Sequence, residues 1–386
     1  KHLRRDVNQW SWYTLIIALF IAIPLLAIVV NLFNGVGEMW NHIVTYYLVD
    51  YLSNSLFLLA GTGVLCSFLG VSSAWIVCHY DFPFRKWIAW LLFLPLAIPS
   101  YIVAYAYVGL LGNGGSLIVC FQRVGLSIQK IELMNLWGLI WVLSCSLYPY
   151  VYASTSAVFI SYPKSLKETT YLLGATDRRY FFSVALPLAI PALIGGLFLV
   201  FMEVLNDYGA AKYYGINTFT TGIFRSWTAL EDLQSAIYLS ALLVVLVFFI
   251  NGLTSLYRGK KSYAIKVAPS QHPSNERKPL RGRKKILYGG ILLLPILFGL
   301  LLPITQLLIW AVLTFDTMFT IDLLWIAGQS FGIALGTSFL ILISTLALIY
   351  FSRWNHLTVI HPLKKIATIA LNPVVRLLMD RARQPH

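Results

Sequence analysis

The sequence from Pro163 to Pro191 reads PKSLKETTYLLGATDRRYFFSVALPLAIP and separates two long apolar runs. Ser165 and Glu168 have the Ser-x-x-Glu spacing of a capping box, in which each side chain bonds a free amide at the start of a helix. Gly174 then stands where helices commonly end in a left-handed residue. The pattern predicts a short helix that begins at a capping box and ends at a glycine.

A second short helix is predicted beyond the glycine. Asp177 can cap a helix that begins at Arg178, and Pro187 and Pro191 lead the chain into the next apolar run. The whole connection, 161–187, is longer than two adjacent helices need, and long connections with their own helices are usually functional. The residues favour a surface on which another protein docks, and a plain connector is the alternative.

Long apolar runs place the chain in a membrane. The sequence is 58% hydrophobic and 11% charged, whereas soluble chains carry about 25% charged residues. Each run is near the ~20 residues with which a helix crosses the hydrocarbon core, and a span in lipid must satisfy its own backbone hydrogen bonds. We therefore predict an all-α, polytopic bundle of about eight transmembrane helices. The runs are 11–33, 52–78, 87–111, 136–160, 188–206, 235–257, 286–314 and 330–351.

The basic residues predict the topology. With the N-terminus in the cytoplasm, 25 of the 29 Lys and Arg residues fall on the cytoplasmic side. This distribution follows the positive-inside rule, so the net charge of +14 marks topology and lipid headgroup contact rather than nucleic-acid binding. The four cysteines have no CxxC pair, and neither a disulfide nor a metal role is expected of them.

The apolar pattern is interrupted once, by the basic, proline-containing segment 258–285. This composition is typical of a linker. We predict three parts: a first half at 1–257 with six spans, a cytoplasmic linker at 258–285, and a second half at 286–386 with about two spans and a basic cytoplasmic tail.

The sequence carries no catalytic signature. It has no Gly-x-x-x-x-Gly-Lys-Ser/Thr phosphate loop and no His-Glu-x-x-His or Gly-x-Ser-x-Gly motif. We therefore expect no enzyme, no bound cofactor and no metal site in this chain.

Four residues are candidates for a translocation path. Glu203 and Asp207 are four apart, so we expect them on one helix face, and acids near an apolar run often face a pore. Interfacial acids that reach water, or salt bridges to Lys212 or Arg225, are the alternative. Pro95 and Pro99 lie within the third run, where proline opens a kink; the kink acts either as a gate or as a static bend.

The segment 161–187 resembles the cytoplasmic signature loop of binding-protein-dependent ABC importer permeases. Glu168-Thr169-Thr170, Gly174, Val184 and Leu186-Pro187 keep the spacing of that loop, with threonines in place of two alanines. In that family the loop is a coupling helix that docks on the ATPase subunit, which hydrolyses ATP. The resemblance implies that the coupling residues here are Ser165, Glu168, Gly174, Ala175, Arg178, Arg179, Leu186 and Pro187.

Further motifs resemble the iron(III)-transport type of these permeases. They are Phe82-Pro83-Phe84-Arg85, the run from Leu94 to Tyr101, and the run from Glu203 through Asp207, Tyr208 and Gly209. The resemblance implies a bacterial inner-membrane protein that passes ferric iron from a periplasmic binding protein into the cytoplasm, and it adds Tyr208 to the path candidates.

Other functions stay open. Thiamine, aminophosphonate and polyamine permeases of the same class are alternatives, and a secondary transporter or channel without an ATPase is another. Fused members of the family carry two coupling loops and this chain carries one. We therefore expect either that the chain is truncated or frameshifted after about residue 365 or that the last half was lost, with a second permease half among its partners.

Overall fold

Helices form nearly all of the chain that the structure describes. The computed structural model describes residues 9–112, 114–125, 132–259, 277–280, 282–318 and 320–354. The predicted basic tail and most of the predicted linker lie outside these ranges. The helices are α1 (Gln9–Asn31), α2 (Trp40–Tyr46), α3 (Leu48–His79), α4 (Arg85–Leu91), α5 (Ser100–Leu111), α6 (Ser116–Arg123), α7 (Leu136–Ser161), α8 (Lys164–Leu172), α9 (Asp177–Tyr180), α10 (Leu186–Asn206), α11 (Gly209–Tyr213), α12 (Phe219–Phe224), α13 (Leu233–Gly259), α14 (Arg283–Ile296), α15 (Leu302–Met318) and α16 (Ile321–Trp354).

Within the described ranges, seven helical segments are long and apolar enough to cross a membrane. Each overlaps one predicted run, and α1 covers the remaining one. The predicted all-α membrane bundle is therefore confirmed. The segments are 48–79, 100–123, 136–161, 177–206, 233–256, 283–317 and 321–346.

The unit from Gly35 to Ile309 has its core along α3, α7 and α10. From α7, Leu139 and Tyr148 are fully buried. The approach of α3 to α7 needs a glycine, since a Cβ on Gly70 would lie 2.7 Å from the Cβ of Val151. Small residues at helix contacts are typical of membrane bundles, where close packing replaces the hydrophobic effect.

The described residues before residue 35 and after residue 309 form a second compact unit, in which α1 contacts α16. Along its described length α16 exposes large apolar side chains, among them Phe331, Phe339 and Leu346. A helix whose apolar side chains are exposed along its described length suits a lipid environment.

The third predicted run is broken into pieces. α4 ends at Leu91, Pro95 lies in a 3-10 turn at 94–97, and Pro99 is the N-cap of α5. The prediction that both prolines lie inside one kinked helix is therefore wrong. Proline lacks the amide hydrogen that a helix needs and clashes with the preceding turn, so two prolines four residues apart end one helix and start another. Pro95 is buried and Pro99 is exposed.

Two short strands link distant parts of the chain. β1 (Tyr80–Asp81) follows α3 directly and pairs in parallel with β2 (Lys278–Pro279), which precedes α14. The amide of Leu280 also donates to the Asp81 carbonyl at 3.0 Å. The end of the predicted linker is therefore fixed to the end of α3.

Candidate functional site

The segment from Pro163 to Pro187, here called the elbow, begins with α8. The helix starts at Lys164 with Pro163 as its N-cap, and no side chain caps it. The predicted capping box of Ser165 and Glu168 is therefore wrong. Proline fixes its own φ and ends the preceding extended segment. With Pro163 as the N-cap, the helix starts two residues earlier than the capping box predicts, and Ser165 lies inside its first turn.

The glycine corner is as predicted. Gly174 has φ +79, its amide donates to the Tyr171 carbonyl at 2.9 Å, and the Ala175 amide donates to the Thr170 carbonyl at 3.2 Å. This pair of bonds is the Schellman motif, which satisfies the last carbonyls of a helix and reverses the chain. No atom lies within 4 Å of the position of a Cβ on Gly174, so the glycine is required by its backbone torsion alone.

The second helix of the elbow differs from the prediction. Thr176, not Asp177, is the N-cap, and its hydroxyl accepts from the Arg179 amide at 3.3 Å. α9 then continues through a π-helical turn at 181–185 into α10, so the second helix is the first turn of a membrane span rather than a separate element. Pro187 explains the π turn, because it offers no amide to the carbonyl four residues earlier.

The tip of the elbow exposes apolar and charged side chains together. Leu172 and Leu173 are 87% and 80% exposed. Three charged coupling candidates are exposed around them, namely Glu168, Arg178 and Arg179, and Ser165 is exposed as well. Ala175, Leu186 and Pro187 are partly buried, so they support the elbow rather than form its outer surface.

A charged cluster behind the elbow was missed by the sequence reasoning. The Asp177 carboxylate accepts from the Tyr171 hydroxyl at 2.8 Å and from the Lys278 ammonium at 2.5 Å, and the Lys284 ammonium lies 3.6 Å away. Burial and this carboxylate raise the pKa of the Tyr171 phenol, which therefore stays protonated and donates. In the sequence, Lys278 and Lys284 counted only toward topology and Asp177 only as a helix cap, and nothing placed the three together.

Glu203 and Asp207 do not share a helix face. α10 ends at Asn206, and Asp207 is extended, with ψ 107. Glu203 is exposed and accepts from the Tyr150 hydroxyl at 3.2 Å. The predicted pairing is wrong because the helix ends between the two acids and turns the second one away.

Asp207 instead organises the start of α11. Its carboxylate accepts from the Ala210 amide at 2.8 Å and from the Ser100 hydroxyl, and its carbonyl accepts from the Thr220 hydroxyl at 3.0 Å. Sequence reasoning missed Ser100 and Thr220 as partners, since each lies far from Asp207 in the chain or beyond a helix break. The contacts fit an acid that holds local structure.

The neighbouring cations contact aromatic rings. The Lys212 ammonium is 5.1 Å from the ring centroid of Tyr208, which packs on Phe224 at 4.1 Å, and the Arg225 guanidinium is 4.8 Å from the ring of Tyr47. Neither cation forms an ion pair with Glu203 or Asp207 in the described ranges. In those same ranges no group of three or more His, Cys, Asp or Glu side chains is placed to hold a metal ion.

Residues 66–258, half of the chain and the part that includes the elbow, match the family described as binding-protein-dependent transport system inner membrane component. The chain belongs to this family. The predicted resemblance is thereby confirmed.

Curated relatives of this permease have different cargoes in their names. The Fe(3+)-transport system permease protein FbpB 2 of Haemophilus influenzae is 24% identical over 255 residues, which are 65% of this chain and 47% of the relative. The sulfate permease CysT of Salmonella typhimurium is 26% identical over 53% of this chain and 72% of its own length. The molybdate/tungstate permease WtpB of Thermococcus kodakarensis is 22% identical over 54% and 78%.

A solved structure shares the fold. A chain of a bacterial alginate ABC transporter, crystallised with its pentasaccharide-bound periplasmic protein, superposes with a TM-score of 0.53 at 19% identity, over 67% of this permease and 99% of that chain. The chain spans about half the length of the iron permease that it matches.

Proposed function

We propose that this chain is the permease of an ATP-driven importer and that its elbow docks on a separate ATPase subunit. The observation that carries the proposal is the exposed tip at Gly174. There Leu172 and Leu173 are exposed to solvent, in the sequence between the exposed residue Glu168 and the exposed pair Arg178 and Arg179. Two adjacent leucines exposed at a helix end cost hydration free energy, at roughly 25 cal/mol per Å² of apolar surface. A protein partner that covers them recovers that free energy.

The charges around the tip define the partner surface. Arg178 and Arg179 lie in α9 and are exposed, and Glu168 lies on α8. A complementary groove has an apolar floor for Leu172 and Leu173 and acidic groups at one rim. Electrostatic complementarity of this kind orients a partner and speeds association.

Co-purification with the ATPase subunit tests the docking. Leu172→Asp places a charge on the apolar tip, so we expect the ATPase subunit to be lost; Glu168→Arg and Gly174→Trp, which change the charge and the corner, should also weaken association. Leu230→Asp is the matched control, because Leu230 is an exposed leucine in the connection between α12 and α13. Equal retention of the ATPase by Leu172→Asp and Leu230→Asp would refute docking at the elbow, and a secondary transporter or channel would then be favoured.

For the cargo, we propose ferric iron delivered by a periplasmic binding protein. The proposal rests on the motif at 203–209 and on the iron-transport relative. Sulfate and molybdate are the competing cargoes that the other relatives name, and thiamine, aminophosphonate and polyamines remain alternatives within the class. Uptake into vesicles that contain permease, ATPase and binding protein separates them: labelled iron should accumulate with ATP, and accumulation of labelled sulfate or molybdate in its place would overturn the assignment.

The membrane orientation is part of the proposal. The elbow and the linker together carry 14 of the 29 Lys and Arg residues. We therefore place both in the cytoplasm of a bacterium, with the N-terminus on the same side and lipid around the spans. A cysteine at Arg178 should react with an impermeant thiol reagent only in inside-out vesicles. A cysteine at Glu231 should react only in right-side-out vesicles, and the reverse pattern would invert the topology.

A further inference from the structure

Residues 277–280, a described stretch of the linker, contact the inner side of the elbow. β2 pairs with β1, and Lys278 is opposite Tyr80 in the register. The Lys278 ammonium lies 2.5 Å from the Asp177 carboxylate and 3.9 Å from the ring centroid of Tyr171. One side chain therefore bridges two residues that flank the Gly174 corner, one on α8 and the other at the start of α9.

This ion pair differs from an ordinary surface pair. The Asp177 side chain is 23% exposed and that of Lys278 is 40% exposed. A carboxylate and an aromatic face contact the same ammonium, and the Tyr171 hydroxyl donates to the same carboxylate. Charge-assisted bonds and cation–π contacts strengthen when water is partly removed.

The backbone pairing cannot hold the segment alone. β1 and β2 have two residues each, and isolated two-stranded pairs are marginal in water. The side-chain contacts at Asp177 and Tyr171, together with Leu280 packed against the core, therefore keep this segment in place. Lys284, in the first turn of α14, reaches the same carboxylate at 3.6 Å and connects the elbow to that span as well.

We propose that residues 277–280 form a strap that positions the elbow, with Lys278 seated between Asp177 and Tyr171 as its anchor. The proposal rests on the proposed docking function, because the orientation set by the strap is the one presented to the ATPase subunit. Lys278 and Asp177 are positioning residues: they lie behind the exposed tip and do not form it. Through Lys278 and Lys284, a displacement of α14 is passed to the elbow.

The first test needs no ATPase. Amide hydrogen exchange is measured over residues 164–180 in the purified full chain, for wild type, Lys278→Met and Asp177→Asn. Loss of a half-exposed charged contact should speed exchange about fivefold in both variants. Lys278→Arg keeps the charge and the ring contact and should restore slow exchange. Lys285→Met, which removes the same charge from an exposed neighbour, should match wild type.

The second test measures coupling in vesicles with the ATPase subunit and the binding protein. Lys278→Met should keep the ATPase bound, because the tip is intact, yet lower hydrolysis stimulated by loaded binding protein about fivefold. Lys278→Arg should restore the stimulated hydrolysis. Unchanged exchange and unchanged stimulation in Lys278→Met would overturn the strap. A wild-type chain that binds no ATPase would overturn the docking proposal instead, and the exchange result would still decide whether Lys278 holds the elbow.

Discussion

Replacing Gly174 with alanine should weaken the elbow by a calculable amount. The residue has φ +79 and its added Cβ would contact nothing within 4 Å, so the change carries backbone strain and no clash. A left-handed conformation costs an alanine about 1–2 kcal/mol. Alanine also restricts the unfolded chain relative to glycine, and this stabilises the folded protein by about 0.4–1 kcal/mol and offsets part of the strain. We expect a net loss of about 1 kcal/mol.

The loss should appear as weaker ATPase binding. A cost of about 1 kcal/mol lowers the ratio of the native corner to its alternatives about fivefold. If the ATPase binds only that corner, its apparent affinity falls by up to the same factor. Titration of the reconstituted permease with purified ATPase subunit measures this shift, and Gly174→Asn should fall between wild type and alanine because asparagine tolerates the left-handed region.

A matched glycine at another site makes the test specific. Gly215 has φ +70, an open Cβ position and the same bonding pattern, with the Ile216 amide on the Ala211 carbonyl at 2.9 Å and its own amide on the Lys212 carbonyl at 3.1 Å. Gly215→Ala therefore carries the same backbone strain without touching the elbow. Equal loss of ATPase affinity in the two alanine variants, or none in Gly174→Ala, would refute the reasoning.

Two further predictions concern acidic residues away from the elbow. Glu203→Gln should lower uptake several-fold while ATPase association stays at the wild-type level, because the exposed carboxylate is lost and the elbow is unchanged; wild-type uptake in this variant would remove Glu203 from the path. Burial favours a raised pKa at Asp232, but bonds from the Ser235 hydroxyl and from the amides of Ser235 and Met39 outweigh it and lower the pKa. A lowered folded pKa stabilises the protein above the ordinary aspartate value of about 4 and loses that effect as pH falls through the folded pKa. The melting temperature of the wild type should therefore fall on acidification below pH 4, and it should fall less steeply in Asp232→Asn. Parallel curves of melting temperature against pH in the two proteins would contradict the assignment.

Features that depend on local sequence were predictable. The apolar runs gave the spans, because length and hydropathy alone decide whether a helix crosses lipid. Gly174 was placed correctly at the helix end, because only a left-handed residue completes the two bonds of that corner. The spacing of the signature loop was also sufficient to identify the family, which the match over 66–258 confirms.

Features that depend on competition between neighbours were not predictable. Ser165 and Asp177 are both good capping residues, but Pro163, two residues before Ser165, is the N-cap of α8, and Thr176 is the N-cap of α9. Periodicity likewise placed Glu203 and Asp207 on one face, since the sequence carries no proline or glycine between them to announce the helix end. The end at Asn206 is set by bonds to distant residues, Ser100 and Thr220 among them.

The displaced cap explains how the elbow is joined to the rest of the molecule. The Thr176 hydroxyl accepts from the Arg179 amide at the start of α9. The neighbouring Asp177 carboxylate is therefore not needed as the helix cap. It is free to receive Tyr171 from α8 and Lys278 from a segment about a hundred residues away in sequence. The shape of the corner thus comes from Gly174 and adjacent residues, whereas its orientation comes from a contact across the chain. A coupling element needs both properties, because a corner of fixed shape can transmit motion only if a second contact ties it to the helices that move.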